Sequence, residues 1–433
     1  MTLLRAPRGE LARRLRAAAG VTESQPRQPA VADTCADFLV GGVWEDTVHG
    51  PALYLERMYD VSEVHGRFAF SEILDLKIDA LSQVGLAAQP RDLLFLDVET
   101  TGLNGGTGTL AFLIGVARIR DERVVVRQYF LTRPHFEPAM LAGLTKFADG
   151  VEQIVTYNGS SFDIPLLQSR YTMARQSSPI VELPHLDLLH STRRFYSRSL
   201  ESCRLKEIEQ QILGVDRGMD IPGWAVPQVY FSFIREGVVG LMPAVMRHNA
   251  LDVLSLITLL RRIGGLVDGD PVKLPSEAIE LARLAYAAGN IDQSLEYHQA
   301  ALRLAAAPQM RAYALAKHLR VLKRANRWAE VRDLCLEEIR QGAGSLMLYV
   351  EAAKACEHHT GDLKLAARLV ERALLRTRVR SHHEGLLAEL EQRHRRIMRK
   401  LARRTGQTEE AASRRPLVVS EITRLPLPAQ SLA

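Results

Sequence analysis

The sequence predicts an α/β domain, a mixed sheet flanked by helices, followed by an all-α array of helical pairs. Three observations carry this prediction. Between Asp92 and about Gly265, strand-like and helix-like patterns alternate. After "GLVDGDPVKLPSE", a linker of Gly, Pro and Asp, the pattern turns wholly helical. Within that helical part, turns centred on Gly289-Asn290, Ala325-Asn326 and Gly361-Asp362 fall 36 residues apart both times.

In chain order, residues 1–35 are rich in Arg, Ala, Pro and Gln and read as a disordered basic N-terminus. Residues 36–90 form an N-terminal extension with short strands, "ALYLERMYDV" and "GRFAF". Residues 91–266 make the α/β domain. "DLLFLDV", "LAFLIGVARI" and "RVVVRQYFL" are three consecutive strands separated by turn residues. "PAMLAGLTKFADG" is a helix, "QIVTYNG" a strand and "DIPLLQSRYTMA" a helix. Residues 275–404 hold the helical repeats, each turn flanked by two apolar-periodic helices. Their length resembles a tetratricopeptide-type solenoid, with Ala282, Ala300 and Ala373 at small-residue positions. Residues 405–433 read as a flexible tail.

Composition narrows the class. At roughly 150 residues per domain, 433 residues imply two or three domains, and 47% apolar residues suffice for a core. The net charge is a formal +6 but uneven: Arg393 to Arg404 contains seven bases and no acid, a block that suits a polyanion. Cys35, Cys203, Cys335 and Cys356 include no C-x-x-C pair, so neither a zinc ribbon nor a disulfide framework is indicated. They read as buried thiols of a reducing compartment. No apolar run reaches membrane-spanning length and no secretory signal is evident, so a cytoplasmic protein is expected.

The candidate chemistry starts at "LLFLDVETTGL". On a strand, residues i and i+2 share a face, roughly 6.6 Å apart, so Asp97 and Glu99 point the same way. Two close carboxylates repel unless something positive joins them, and an all-oxygen site selects Mg²⁺ or Mn²⁺. A solvent-facing strand end would carry the same pair. "TYNGSSFDIPLL" offers Asp163 where a strand passes into a helix, either as a ligand or as a helix cap. "RHNALDVLSLITLL" puts His248 and Asp252 at i and i+4 on one helical face, either in a site or as a surface pair.

Taken together and in order, "D-x-E-T-T-G-L", "Y-N-G-x-x-F-D-x-P-L-L" and "H-N-x-x-D-V-L-S-L" resemble the three exonuclease motifs of the DEDD 3′→5′ exonuclease superfamily, which has a ribonuclease-H-like fold. The wording is most similar to YprB-like proteins, a bacterial group with this domain followed by tetratricopeptide-like helices. The resemblance implies that Asp97 would bridge two divalent ions, that Glu99 and Asp252 would complete one shell and that Asp163 would hold the second. Two ions about 3.5–4 Å apart can stabilise both the attacking and the leaving oxygen of a phosphoryl displacement. His248 would act as, or position, the base that activates water. Thr100, Thr101 and Leu103 match the turn that cradles the terminal nucleotide, and Asn158 and Phe162 match substrate-side positions. For Leu103 and Phe162, core packing is the competing role.

One departure stands out. The superfamily has Tyr four residues before the last Asp or His five before it, whereas this chain has His at the Tyr spacing, and one helical residue turns a side chain by about 100°. Arg247, at the other spacing, cannot serve as a base. Asp187 in "PHLDLLHSTRR" is a fifth acid, for which a structural role is expected, and Arg193, Arg194, Arg198 and Arg204 could meet phosphates. The resemblance implies nucleic-acid 3′ ends as substrate, with DNA favoured over RNA, and a role in DNA repair. It also suggests a protein partner on the helical repeats, of which a helicase is one kind, and no membrane. The alternatives are an RNA-processing exoribonuclease, or a scaffold whose solenoid recruits a partner to a nuclease-fold binding module. An RNase H-type endonuclease takes its second acid from a helix, which the "DVE" spacing argues against.

Overall fold

The computed structural model describes residues 41–102, 108–342, 345–378 and 384–405. Leu103, Cys35, the basic segment 1–35 and residues 406–433 lie outside them. Contacts divide the chain into a first unit ending at Leu281 and a second beginning at Ala282.

Among the described residues of the first unit, seven strands make one sheet. They are β1 (Gly42–Thr47), β2 (Gly50–Asp60), β5 (Leu93–Thr100), β6 (Ala111–Arg120), β7 (Arg123–Phe130), β8 (Gln153–Thr156) and β9 (His185–Asp187); β3 (Val64–His65) and β4 (Phe68–Ala69) form a separate small ribbon. The sheet order is β1-β2-β7-β6-β5-β8-β9. Neighbours from β1 to β5 run antiparallel, while β5–β8 and β8–β9 are parallel, so the sheet is mixed. Of the short strands of residues 36–90, β1 and β2 extend this sheet, with Tyr54 opposite Tyr129 and Asp60 opposite Arg123, whereas "GRFAF" falls in the separate ribbon.

The helices of this unit are α1 (Ile78–Gln83), α2 (Glu137–Phe147), α3 (Asp163–Met173), α4 (Pro179–Glu182), α5 (Leu188–Tyr196), α6 (Leu205–Ile208), α7 (Val226–Glu236) and α8 (Met242–Asp268). β5 is central and its first four residues are buried, the pattern of a strand covered on both faces. The 27-residue α8 packs on β5 and β6 and buries Val253, Leu256, Ile257 and Leu260. At its start this helix carries His248 and Asp252 to the end of β5.

The second unit is helical: α9 (Pro275–Ala287, which begins in the first unit), α10 (Ile291–Leu304), α11 (Pro308–Arg324), α12 (Trp328–Arg340), α13 (Leu346–Ala355), α14 (Leu363–Arg378) and α15 (Glu384–Thr405). The three expected turns join α9 to α10, α11 to α12 and α13 to α14. Gly289, Asn326 and Gly361 take positive φ there, the left-handed ending that Gly and Asn accept at low cost. Asn290 caps Gln293, and the Asp362 carboxylate accepts from Leu365. Cys335 and Cys356 are buried free thiols, and Cys203 is half-buried. Among the described residues no helix is long and apolar enough to cross a membrane.

Candidate active site

The end of β5 fixes the first two acids. Asp97 lies opposite Gly115 and Glu99 opposite Leu113, with the buried Val98 facing away between them. The pairing slips between Glu99 and Thr100, a bulge that bends the strand as it leaves the sheet. Thr100 then bonds the carbonyl of Gly102 at 2.9 Å, and the Thr101 hydroxyl accepts from Leu110 at 2.9 Å, so both side chains brace the turn.

Asp163 is the first residue of α3 and does not cap it; Phe162 holds the cap position. The backbone of Val98, on β5, and its own amide partly offset the rise of the Asp163 carboxyl. A side chain at Gly159 would meet Asp163 Oδ2 at 2.9 Å. Phe162 beside it is 53% exposed, so core packing does not hold this ring in place. Asn158 takes a left-handed φ of 66° and gives its amide to Asp187. Asp187 also accepts from Ser160 and Leu189 amides and from the Ser160 hydroxyl at 2.6 Å. Burial alone would raise the Asp187 carboxyl, but the Ser160 hydroxyl and the three amides hold it below the usual range. It is an acid that fastens a loop and caps α5. Arg193, Arg194, Arg198 and Arg204 are exposed beyond it.

The site acids behave oppositely. Burial pushes Asp97 well above the usual carboxylate range, and repulsion from Asp252 and Asp163 adds to it. Glu99 is raised by burial and by Asp97, Asp252 and Asp163. Asp163 is pushed up to about 7 by burial, then by Asp187 and Asp252. Asp97, Glu99, Asp163 and Asp252, drawn from three distant segments, thus lie close together, with Asp252 opposing the ionisation of the other three. His248 faces the same cluster: its Nε2 is 4.0 Å from Glu99 and 3.7 Å from Asp252.

Four residues that sequence reasoning passed over organise this cluster. Asn249, fully buried, donates to Asp97 Oδ2 at 2.8 Å and accepts from Gln128 at 2.8 Å. Its approach requires Gly115, because a Cβ there would run into the Asn249 amide. Asp220 Oδ1 and Arg217 Nη1 both lie against His248 Nδ1, at 2.9 and 3.2 Å. Arg217, 5% exposed, pairs with both oxygens of the buried Glu209, with Asp220 and with Asp252. Glu209 opens a five-residue π turn and also accepts from Ser255, whose hydroxyl meets His65 at 2.8 Å. Asp220 begins "DIPG", 28 residues before His248, and nothing in that spacing links the two in the sequence.

The donor set is all oxygen, with three carboxyls held up by burial and mutual repulsion, and in chemistry that fits a divalent cation. Among the described residues no three His, Cys, Asp or Glu side chains stand arranged together as ligands of one ion. Arg217 engages Asp252, and Asn249 engages Asp97.

Residues 94–263 match the RNase_H_2 family of the RNase_H superfamily. This span runs from β5 into α8 and contains all four acids and His248, so the first unit holds an RNase H-like domain, followed by a helical C-terminal region. The chain is 36% identical over 254 residues to the uncharacterized protein YprB of Bacillus subtilis, covering 56% of this chain and 61% of that protein. It is 28% identical over 166 residues to the DNA polymerase III PolC-type of Mycoplasma pneumoniae, covering 32% of this chain and 11% of the polymerase. It spans less than two thirds of either relative.

Proposed function

We propose that this protein is a metal-dependent 3′→5′ exonuclease of the cytoplasm, acting on DNA in preference to RNA and serving DNA repair. The observation that carries the reading is the gathering of Asp97, Glu99, Asp163 and Asp252 around His248, with three of the acids held above their ordinary range. The RNase_H superfamily match supports a nuclease, and the partial likeness to a DNA polymerase supports DNA.

Asp97, Glu99, Asp163 and Asp252 would hold two Mg²⁺ or Mn²⁺ ions. Bound there, the ions would supply positive charge to the attacking and leaving oxygens of an in-line displacement. His248 has a defined part. In the tautomer that carries its proton on Nδ1, toward the Asp220 carboxylate, the Nε2 lone pair faces the acids, where it can take a proton from water. The Thr100–Thr101 turn and the exposed Phe162 ring are the surfaces offered to the terminal nucleotide.

The test uses purified protein with Mg²⁺ or Mn²⁺ and 5′-labelled single- and double-stranded DNA and RNA. A ladder of shortening products is expected, on DNA first. Cleavage of a covalently closed circle would replace the exonuclease by an endonuclease, and no metal-dependent product on any substrate would sink the enzyme reading.

A further inference from the structure

The first unit concentrates negative charge at one point; the C-terminal helical hairpin does the reverse. Helix α14 has five bases and one acid, and α15 has seven bases and three acids, a net +8 in two helices against +6 for the whole chain. The two helices pack on each other, so this surplus is held against its own repulsion.

The bases sort by face. Arg393, Arg396 and Lys400 turn inward onto one fully buried carboxylate, Glu357, at 3.0, 2.6 and 2.9 Å. Glu357 therefore answers the inner charges. The outer ones form columns at helical spacing. On α14 the exposed side chains among the described residues are Lys364, Arg368 and Arg376, all basic; on α15, beyond Gln392, they are Arg395, Arg399, Arg403 and Arg404, all basic. No acid interrupts either column. A spacing of four residues repeats about every 6 Å along a helix. Successive phosphates of one strand in a duplex lie roughly 3.4 Å apart along the axis, so every second phosphate recurs at a comparable interval.

We propose that the outer face of the α14–α15 hairpin is a second nucleic-acid contact surface, gripping the phosphate backbone independently of base sequence. It rests on the reading of the chain as one that handles nucleic acid, and it adds a site apart from the acidic cluster. Arginine and lysine on a folded hairpin neutralise phosphates and release counterions, which yields affinity without sequence preference.

The test uses the full chain, without divalent ion so that cleavage plays no part, and a 5′-fluorescein single-stranded DNA followed by anisotropy across a KCl series. The variant combines Lys364→Ala, Arg368→Ala, Arg395→Ala and Arg399→Ala. Affinity at low salt should fall at least about tenfold, and the slope of log affinity against log salt should flatten by about 3, since each single-strand phosphate contact contributes roughly 0.7. A companion variant, Arg368→Lys with Arg395→Lys and Arg399→Lys, should keep the wild-type slope, which separates charge from folding. An unchanged slope in the alanine variant overturns the proposal. So does wild-type protein that prefers phosphatidylserine vesicles to DNA with the same charge dependence. Intact DNA binding alongside absent Mg²⁺-dependent cleavage would uphold this surface while removing the exonuclease reading.

Discussion

Two buried glutamates sit in turns of the same kind, one in each unit, and their surroundings differ. Glu209 opens the π turn Glu209–Leu213 and Glu357 is the second residue of the π turn Cys356–Thr360; each turn ends at a left-handed glycine, Gly214 or Gly361. Burial raises Glu209 above its ordinary value, and Arg217, which it shares with Asp252 and Asp220, does not cancel that. Burial would raise Glu357 too, but Arg396 and Lys400 pull it down to about 2. The backbone device is common to both. The number of cations per carboxylate sets the outcome: too few in the first unit, where a metal is expected, and a surplus in the second, where a polyanion is expected.

The largest expected effect breaks the first half of that contrast. Asp97→Asn should abolish metal-dependent cleavage of 5′-labelled DNA while circular dichroism shows the fold intact. Because Asp97 is held up by burial and by its acidic neighbours, the same change should raise the melting temperature in EDTA. Near wild-type cleavage by this variant would show that the acids do not form the metal site.

The next two changes sharpen the site's inner order. His248→Ala should slow cleavage by about 10²–10⁴-fold, the range for a general base; a loss below tenfold would reduce His248 to packing. Asp220→Asn should cost about 10–100-fold, as expected for a group that orients another, in kcat and not in KM. Added to His248→Ala it should cost little more, because it acts through that ring. Full additivity of the two losses in steady-state kinetics would disconnect Asp220 from His248.

Much of this was readable in the sequence, for identifiable reasons. Strand alternation alone puts Asp97 and Glu99 on one face, and turn chemistry at Gly289, Asn326 and Gly361 marks the helical period because both are local. Asp163 and Asp252 needed the wording of their motifs, since a helix start and an i, i+4 pair are common features. Arg217, Glu209 and Asp220 were not legible. They lie between α6 and α7, where no period holds, and their partners, Asp252, Ser255 and His248, lie about thirty to fifty residues away. The pairing of β2 with β7 was hidden for the same reason, as Tyr54 and Tyr129 meet only in three dimensions.

The smallest effects are on stability, and their signs should oppose each other with pH. Glu357 has a folded value of about 2, below its ordinary 4.5. Its contribution is therefore complete above the ordinary value and is lost as pH falls through the folded one. Glu357→Gln should cost roughly 1.5–3 kcal/mol at neutral pH, the range for hydrogen bonds to a charged group, and the gap from wild type should close between pH 4.5 and 2. Asp163 is the reverse: its folded value of about 7 lies above the ordinary 3.8, so wild-type protein in EDTA loses stability as pH rises from about 4 through 7. Asp163→Asn should remove that loss and melt higher than wild type at pH 8, with little difference at pH 4. Urea denaturation of both variants across pH measures the two slopes. If both variants are destabilised at neutral pH and both gaps close on acidification, Asp163 is already compensated in the metal-free protein, and the charge deficit assigned to the first unit is absent.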